Sequence, residues 1–292
     1  MDVDLRKSAE PLDRLRLSTA EALPSRRLRP FIARYGAYRF QAVDLGPTRG
    51  LPSRYVTVMI GLGSPYQIAG VGSFTSFVAG LHERAATVES TGTVAGIHLF
   101  LDPLGTRAIL GCPASALAHG VFPLADVIGT RIDLELHERL HEALTWEDCF
   151  AVLDAVLQGR VASCTAPREI GFAWDRITAG HGRTRVEALA TAIGWSRRHL
   201  TECFRYEVGI TPKTLSRVAR FEHACALLRF GPRHLASGAI TAGYHDQAHM
   251  THEWQALAGC TPKAWIASEL PFLQDYEFIA SDDDKGRRNT IR

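Results

Sequence analysis

An internal repeat in the last third of the chain constrains the fold more than any other feature of the sequence. Residues 200–213 return as residues 250–263, with one shared pattern: an apolar residue, Thr, two variable residues and an aromatic, then Gly-x-Thr-Pro-Lys. The offset is 50 residues at every matched position. A repeat of this length predicts two copies of one supersecondary unit.

Each copy has the turn glycine and the N-cap residue that are typical of a helix-turn-helix. In the first copy an apolar helix over 186–193 runs into Gly194, which can adopt the positive φ of a sharp turn. Ser196 then caps the next helix through its hydroxyl oxygen. The second copy has Gly243 and Asp246 in the corresponding places.

The second helix of each unit is amphipathic, so we expect one face to be buried and the other to be exposed. The inward set is Leu200, Cys203, Phe204, Met250 and Trp254. The outward set is Arg197, Arg198, Thr201, Arg205, Gln247, Ala248, Thr251 and Gln255. A helix of this kind can enter the major groove of DNA, where its polar face reaches base edges.

Charge is concentrated in the same part of the chain. Residues 181–268 carry eleven Lys and Arg against six Asp and Glu, a net charge of +5, whereas the whole chain carries +2. A polyanion such as double-stranded DNA requires this kind of local positive excess.

With these features in place, residues 166–268 resemble the DNA-binding domain of the AraC/XylS family of bacterial transcription regulators. The most specific stretch is Gly243-Tyr244-x-Asp246-Gln247-x-His249-Met250-Thr251, followed by Gly259-Cys-Thr261-Pro262. The resemblance implies a transcription activator, with double-stranded DNA and RNA polymerase as partners.

The resemblance also implies which positions contact bases: Arg198, Thr201, Glu202, Gln247, Ala248, Thr251 and His252. Family members often have arginine where this chain has Glu202 and His252. Glutamate accepts a hydrogen bond from cytosine N4 but repels phosphates, so base readout by the first helix is either weaker than usual or directed at a different target. Arg197 and Arg198 are either phosphate clamps or base readers. Structural helix pairs that never touch DNA are the alternative to the DNA-binding hypothesis.

The rest of the sequence predicts an α+β protein. Strand-like runs at 35–40, 55–60 and 94–101 precede amphipathic helices at 133–143 and 146–158. We therefore expect a β-rich, barrel-like N-terminal domain with appended helices, and an all-helical C-terminal domain whose two helix-turn-helix units are joined by a long helix. The predicted boundaries are an effector-binding or dimerisation domain at 1–160, a linker at 161–166, the DNA-binding domain at 167–268 and a tail at 269–292. Residues 1–30 are expected to be a polar lead-in with at most one short helix.

Aromatic side chains are frequent in the strand-like part, and they form either a ligand pocket or the core, which is the commoner role of aromatics in strands. They are Tyr35, Tyr38, Phe40, Tyr55, Tyr66, Phe74, Phe77 and Phe100. A small-molecule effector and a homodimer follow from the resemblance, while no cofactor is indicated.

His137-Glu138-Arg-Leu-His141 matches the zinc-protease pattern HExxH and is the one competing enzymatic hypothesis. We expect the leucines at 134, 136, 140 and 144 to pack this helix and leave its histidines near solvent, and no third ligand follows at the usual spacing. Spacing alone assembles no Ser-His-Asp set. The sequence therefore predicts a protein that is not an enzyme and holds no metal.

No apolar run approaches the ~18–20 residues needed to cross a bilayer. Residues 1–16 lack the apolar stretch of a secretory signal. We expect a cytoplasmic protein without a membrane segment.

Overall fold

A computed structural model describes residues 17–40, 47–90, 92–163, 166–230 and 235–268. We refer to residues 17–163 as the β-rich region and to residues 166–268 as the helical region. The predicted tail at 269–292 lies outside the described residues. None of the described helices is both long and apolar enough to span a membrane.

The β-rich region contains two antiparallel sheets. Its strands are β1 Leu17–Ala22, β2 Ile32–Phe40, β3 Thr48–Gly50, β4 Val56–Gly61, β5 Tyr66–Ile68, β6 Gly72–Phe74, β7 Ser76–Ala79, β8 Ala86–Glu89, β9 Val94–Leu101 and β10 Val121–Pro123. One sheet has the order β1-β2-β9-β4-β7-β10 and the other has the order β3-β8-β5-β6. The described strands form two sheets and no closed barrel, while the β-rich first part with appended helices and the all-helical second part confirm the predicted fold class.

β1 corrects one expectation, because residues 17–22 are a strand and not part of a polar lead-in. The strand pairs with β2 in register from Leu17 opposite Phe40 to Ala22 opposite Tyr35. Its sequence, LSTAEA, has no apolar alternation that marks it as a strand. Pairing along the edge of β2 overrides the weak local preference.

Most of the aromatic residues are core. Tyr38, Tyr66 and Phe77 belong to a buried cluster that joins the two sheets. The hydroxyls of Tyr38 and Tyr66 share a buried hydrogen bond of 2.6 Å, which satisfies both groups away from water. Tyr55 and Phe74 are half-buried.

The other face of the larger sheet packs against α1 Thr106–Leu110, α2 Leu124–Ile128, α3 Thr130–Glu142 and α4 Trp146–Gln158. α4 begins with a capping box, in which the Thr145 hydroxyl accepts from the Asp148 amide and the Asp148 carboxylate accepts from the Thr145 amide. α3 and α4 match the predicted helices to within three residues at each end.

The helical region consists of α5 Arg168–Ala179, α6 Val186–Ile193, α7 Arg197–Val208, α8 Pro212–Phe230, α9 Leu235–Ala242, α10 Gln247–Ala258 and α11 Pro262–Ser268. The hydrophobic core of the β-rich region continues into its first half, through residues such as Trp174, Phe204 and Leu215. The second half has a separate core around Trp254 and Trp265. The two helix-turn-helix units therefore differ in how closely they are joined to the β-rich region.

Candidate DNA-binding surface

α7 begins and ends where its sequence predicts. The Ser196 hydroxyl accepts a hydrogen bond of 3.1 Å from the amide of His199, and Gly209 ends the helix with φ +89°. Leu200 and Phe204 are fully buried, whereas Cys203 is only half-buried. The helix is thus fixed on one face and free on the other.

Two arginines on the exposed face of α7 are paired with glutamates of α6 and α7. Nε of Arg198 donates to Oε1 of Glu202 at 2.8 Å, and Arg197 lies 2.8 Å from Glu187 of α6. The Arg205 side chain is exposed and forms no hydrogen bond or ion pair with the described residues. Two of the three guanidinium groups are therefore partly neutralised in the free protein, and the third is not.

α10 is capped by a carboxylate where α7 has a hydroxyl. Asp246 accepts a hydrogen bond of 2.7 Å from the amide of His249. This bond, and a second from His245, hold the pKa of the Asp246 carboxyl below its usual range. Met250 and Trp254 are fully buried.

The predicted contact positions of α10 face solvent. Gln247, Ala248 and His252 are exposed, and Thr251 is half-buried. The side chains of Gln247 and His252 make no hydrogen bond or ion pair with the described residues, so their donors and acceptors are free for a ligand.

Thr201 and Thr251 occupy equivalent places in the repeat and behave alike. The Thr201 hydroxyl donates to the carbonyl of Arg197 at 2.8 Å, and that of Thr251 donates to the carbonyl of Gln247 at 2.9 Å. In both helices the hydroxyl proton is thereby used within the helix, and the oxygen keeps its lone pairs as acceptors. The two faces thus share their geometry but differ in charge.

Sequence analysis missed a charged network behind α10. Glu253 lies 3.1 Å from Arg217 and 3.4 Å from Arg220, both on α8, and Arg217 also lies 3.6 Å from Glu83 of the β-rich region. In the sequence, the only sign that Glu253 lies near the core is its position in the repeat, directly before the buried Trp254. The network connects α10 to the β-rich region through α8.

The β-rich region also makes direct polar contacts with the helical region. Arg107 donates two hydrogen bonds to the carboxylate of Glu207, at 3.1 and 3.3 Å. Glu222, only 7% exposed, accepts hydrogen bonds of 2.9 Å from the Ser53 hydroxyl and the Arg54 amide. The two regions are therefore joined by paired charges as well as by a shared core.

His137 of the HExxH pattern makes contacts within the protein through both of its ring nitrogens. Nε2 of His137 lies 2.8 Å from the hydroxyl oxygen of Ser76, and Nδ1 lies 2.8 Å from the carbonyl oxygen of Asp133. Both ring nitrogens are thus engaged with protein atoms, while His141 is exposed. No group of three or more metal-ligating side chains occurs among the described residues.

Two details of this helix differ from expectation. His137 is mostly buried, with 18% of its side chain exposed, because it reaches Ser76 on the sheet. Leu134 and Leu144 are 57% and 67% exposed, so of these four leucines only Leu136 and Leu140 are buried. β7 brings Ser76 next to His137, a contact that spacing did not reveal, whereas Asp133 lies one helical turn before His137 on α3 itself. Ser76 is 8% exposed and accepts a hydrogen bond from the amide of Gly61.

Comparison with known families gives two matches that do not overlap. Residues 189–268 match a family described as a helix-turn-helix domain. Residues 20–123 match a family described as a domain of unknown function.

A curated relative is the HTH-type transcriptional regulator GlxA of Rhizobium meliloti, 28% identical over 177 residues. The match covers 56% of this chain and 52% of the relative, so the chain spans about half the length of the curated relative it matches.

Two solved structures are similar in part. The DNA-binding domain of AdpA, solved in complex with a target DNA, is 22% identical, with a TM-score of 0.32 over 34% of this chain and 91% of that domain. ToxT from Vibrio cholerae is 10% identical, with a TM-score of 0.46 over 80% of this chain and 96% of its own.

Proposed function

We propose that this chain, whose residues 189–268 are a helix-turn-helix domain of the AraC type, is a sequence-specific transcription regulator that places α7 and α10 in adjacent major grooves of one DNA duplex. Successive major-groove faces of B-DNA lie about 34 Å apart. Because one chain carries both DNA-reading helices, α7 and α10, it can recognise an asymmetric site without a second subunit.

The observation that carries this proposal is the duplication: α7 and α10, at equivalent positions of the repeat, each expose the equivalent polar face. At positions 50 residues apart, each helix buries its apolar face and exposes a polar face of the size that fits a major groove. Gln247 and His252 are exposed and have no partner among the described residues, so their polar groups are available to base edges.

The two helices are assigned different bases. Gln247 has the donor and acceptor needed for a bidentate contact with adenine, and Ala248 suits the methyl group of thymine. Arg198 matches guanine, and Glu202 can accept from the cytosine amino group. Thr201, Thr251 and His252 supply further contacts, and Arg197 and Arg205 neutralise phosphates.

We further propose that the β-rich region modulates DNA binding, through a small effector or a second copy of the chain. It contacts α7, α8 and α10, so a change in the β-rich region can shift both DNA-reading helices. Action as an activator, contact with RNA polymerase and a cytoplasmic location are carried over from the AraC/XylS resemblance.

Selection of bound sequences from a random duplex pool tests the proposal. The full chain should enrich two short blocks whose centres lie about 10 base pairs apart. Affinity should fall linearly on a logarithmic scale with salt, since bound phosphates release counterions. A pool that remains random, or affinity that does not respond to salt, contradicts it.

A further inference from the structure

A cleft lies between the β-rich region and the exposed face of α7. Its volume is about 830 Å³. One wall is Ser115 of the β-rich region, and the lining from α7 comprises Arg197, Arg198, Thr201, Glu202, Arg205 and Tyr206. The side chains assigned to DNA thus share one space with a residue outside the helix-turn-helix domain.

Close packing brings Ser115 to this position. A Cβ atom on Gly209, at the end of α7, would lie 3.0 Å from Cα of Ser115 and 2.5 Å from Cβ of Ala118. The segment around Ser115 therefore packs against the C-terminal end of α7.

The lining of the cleft suits a phosphate chain. It holds three guanidinium groups and one carboxylate, and that carboxylate already pairs with Arg198. Arg205 has no charged partner among the described residues, and Tyr206 is 68% exposed, which is unusual for a large aromatic side chain. Serine and tyrosine hydroxyls are common donors to phosphate oxygens.

We propose that the DNA backbone beside the first major-groove contact occupies this cleft, with Arg205 against a phosphate and the hydroxyls of Ser115 and Tyr206 donating to phosphate oxygens. The β-rich region is then part of the DNA interface as well as its regulator. The proposal rests on the proposed function, since it presumes that α7 enters a major groove.

The deciding variant is Ser115→Glu in the full chain, which adds a negative charge to the wall of the cleft. It should lower affinity for the selected duplex and for a random duplex alike, by about tenfold, because phosphate contacts carry no sequence information. Ser73→Glu is the matched control, since Ser73 is exposed on the smaller sheet, away from the cleft lining. It should bind like the unaltered chain.

Two milder variants follow if Ser115→Glu fails to fold; Arg205→Ala tests the phosphate contact that the proposed function already assigns, and Tyr206→Phe tests the cleft, since equal binding by Tyr206→Phe and the unaltered chain would contradict a phosphate contact there. Arg205→Ala should reduce the slope of log affinity against log salt by about 1. Tyr206→Phe, which removes only a hydroxyl, should weaken binding about two- to tenfold.

The outcomes separate the two proposals. If the unaltered chain binds no duplex, the proposed function fails. If it binds a selected duplex while Ser115→Glu binds equally well or more tightly, the DNA backbone does not occupy the cleft, and the proposed function stands.

Discussion

Glu207 and Leu257 occupy equivalent positions in the two repeats, 50 residues apart, and each contacts the β-rich region. The Glu207 carboxylate accepts two hydrogen bonds from Arg107, and the Leu257 carbonyl accepts one of 2.7 Å from the amide of Ala85. The β-rich region thus holds the same end of α7 and of α10. The opposite ends, which carry the first predicted base contacts, are left exposed.

Arg107→Ala should lower the free energy of unfolding by about 1–3 kcal/mol, because it leaves the mostly buried carboxylate of Glu207 without its charged partner. Arg139→Ala is the control, since Arg139 pairs with Glu135 on an exposed helix face and should cost about 0.5 kcal/mol or less. Urea unfolding measures both. Equal losses would show that the contact between the regions contributes no more than a surface ion pair.

Gly209→Ala should destabilise the protein more than Gly259→Ala. Both glycines have positive φ, at +89° and +71°, so alanine costs about 1–2 kcal/mol at either position. At Gly209 the new methyl group also meets Ala118, which adds about 1–3 kcal/mol of overpacking, whereas the space around Gly259 is open. Denaturant midpoints of the two variants give the comparison, and a larger loss at Gly259 contradicts the packing described.

The two histidines of the HExxH pattern should behave differently. His137→Ala removes the hydrogen bond to Ser76 and should cost about 1–3 kcal/mol, whereas His141→Ala, at an exposed site, should change stability little. A chelator should leave the melting temperature unchanged. Similar losses for both variants, together with destabilisation by the chelator, would instead indicate a zinc site.

His98 should make stability depend on pH. Burial between the sheets, with a smaller effect from Arg34, lowers the pKa of His98 to about 3. Between about pH 6.5, the usual histidine pKa, and pH 3, the unfolded chain binds a proton that the folded chain does not, so stability falls as pH falls.

His98→Gln should therefore reduce the pH dependence of the free energy of unfolding between pH 6 and 4, by up to ~1.4 kcal/mol per unit. The control is His141→Gln, at an exposed position. Urea titrations at pH 7, 6, 5 and 4 check this. Parallel curves for His98→Gln and the unaltered chain would show that His98 is not buried in its neutral form.

The helical region was predictable because its signals are local. Ser196 and Asp246 cap the helices they precede, and Gly194, Gly209 and Gly243 have the positive φ that their turns require. Helix ends fixed by such residues need no information from the rest of the chain. α6, Val186–Ile193, accordingly has the bounds predicted for it.

The sheets and the contacts between the regions were not predictable for the opposite reason. β1 is a strand only because β2 offers it an edge, and β9 pairs with both β2 and β4, which lie far from it in sequence. Glu222 has the sequence appearance of a solvated helix carboxylate, yet it is buried against the Ser53 segment. Non-local pairing of this kind leaves no periodic pattern in a single sequence.

The central claim is that α7 and α10 read two separate blocks of bases. Its most direct test measures the affinity of Arg198→Ala and Gln247→Ala for the selected duplex and for duplexes altered in one block at a time. Arg198→Ala should lose discrimination, by about 1–3 kcal/mol, only at the first block, and Gln247→Ala only at the second. If both variants lose it at the same block, or neither loses any, the two helices are not independent readers.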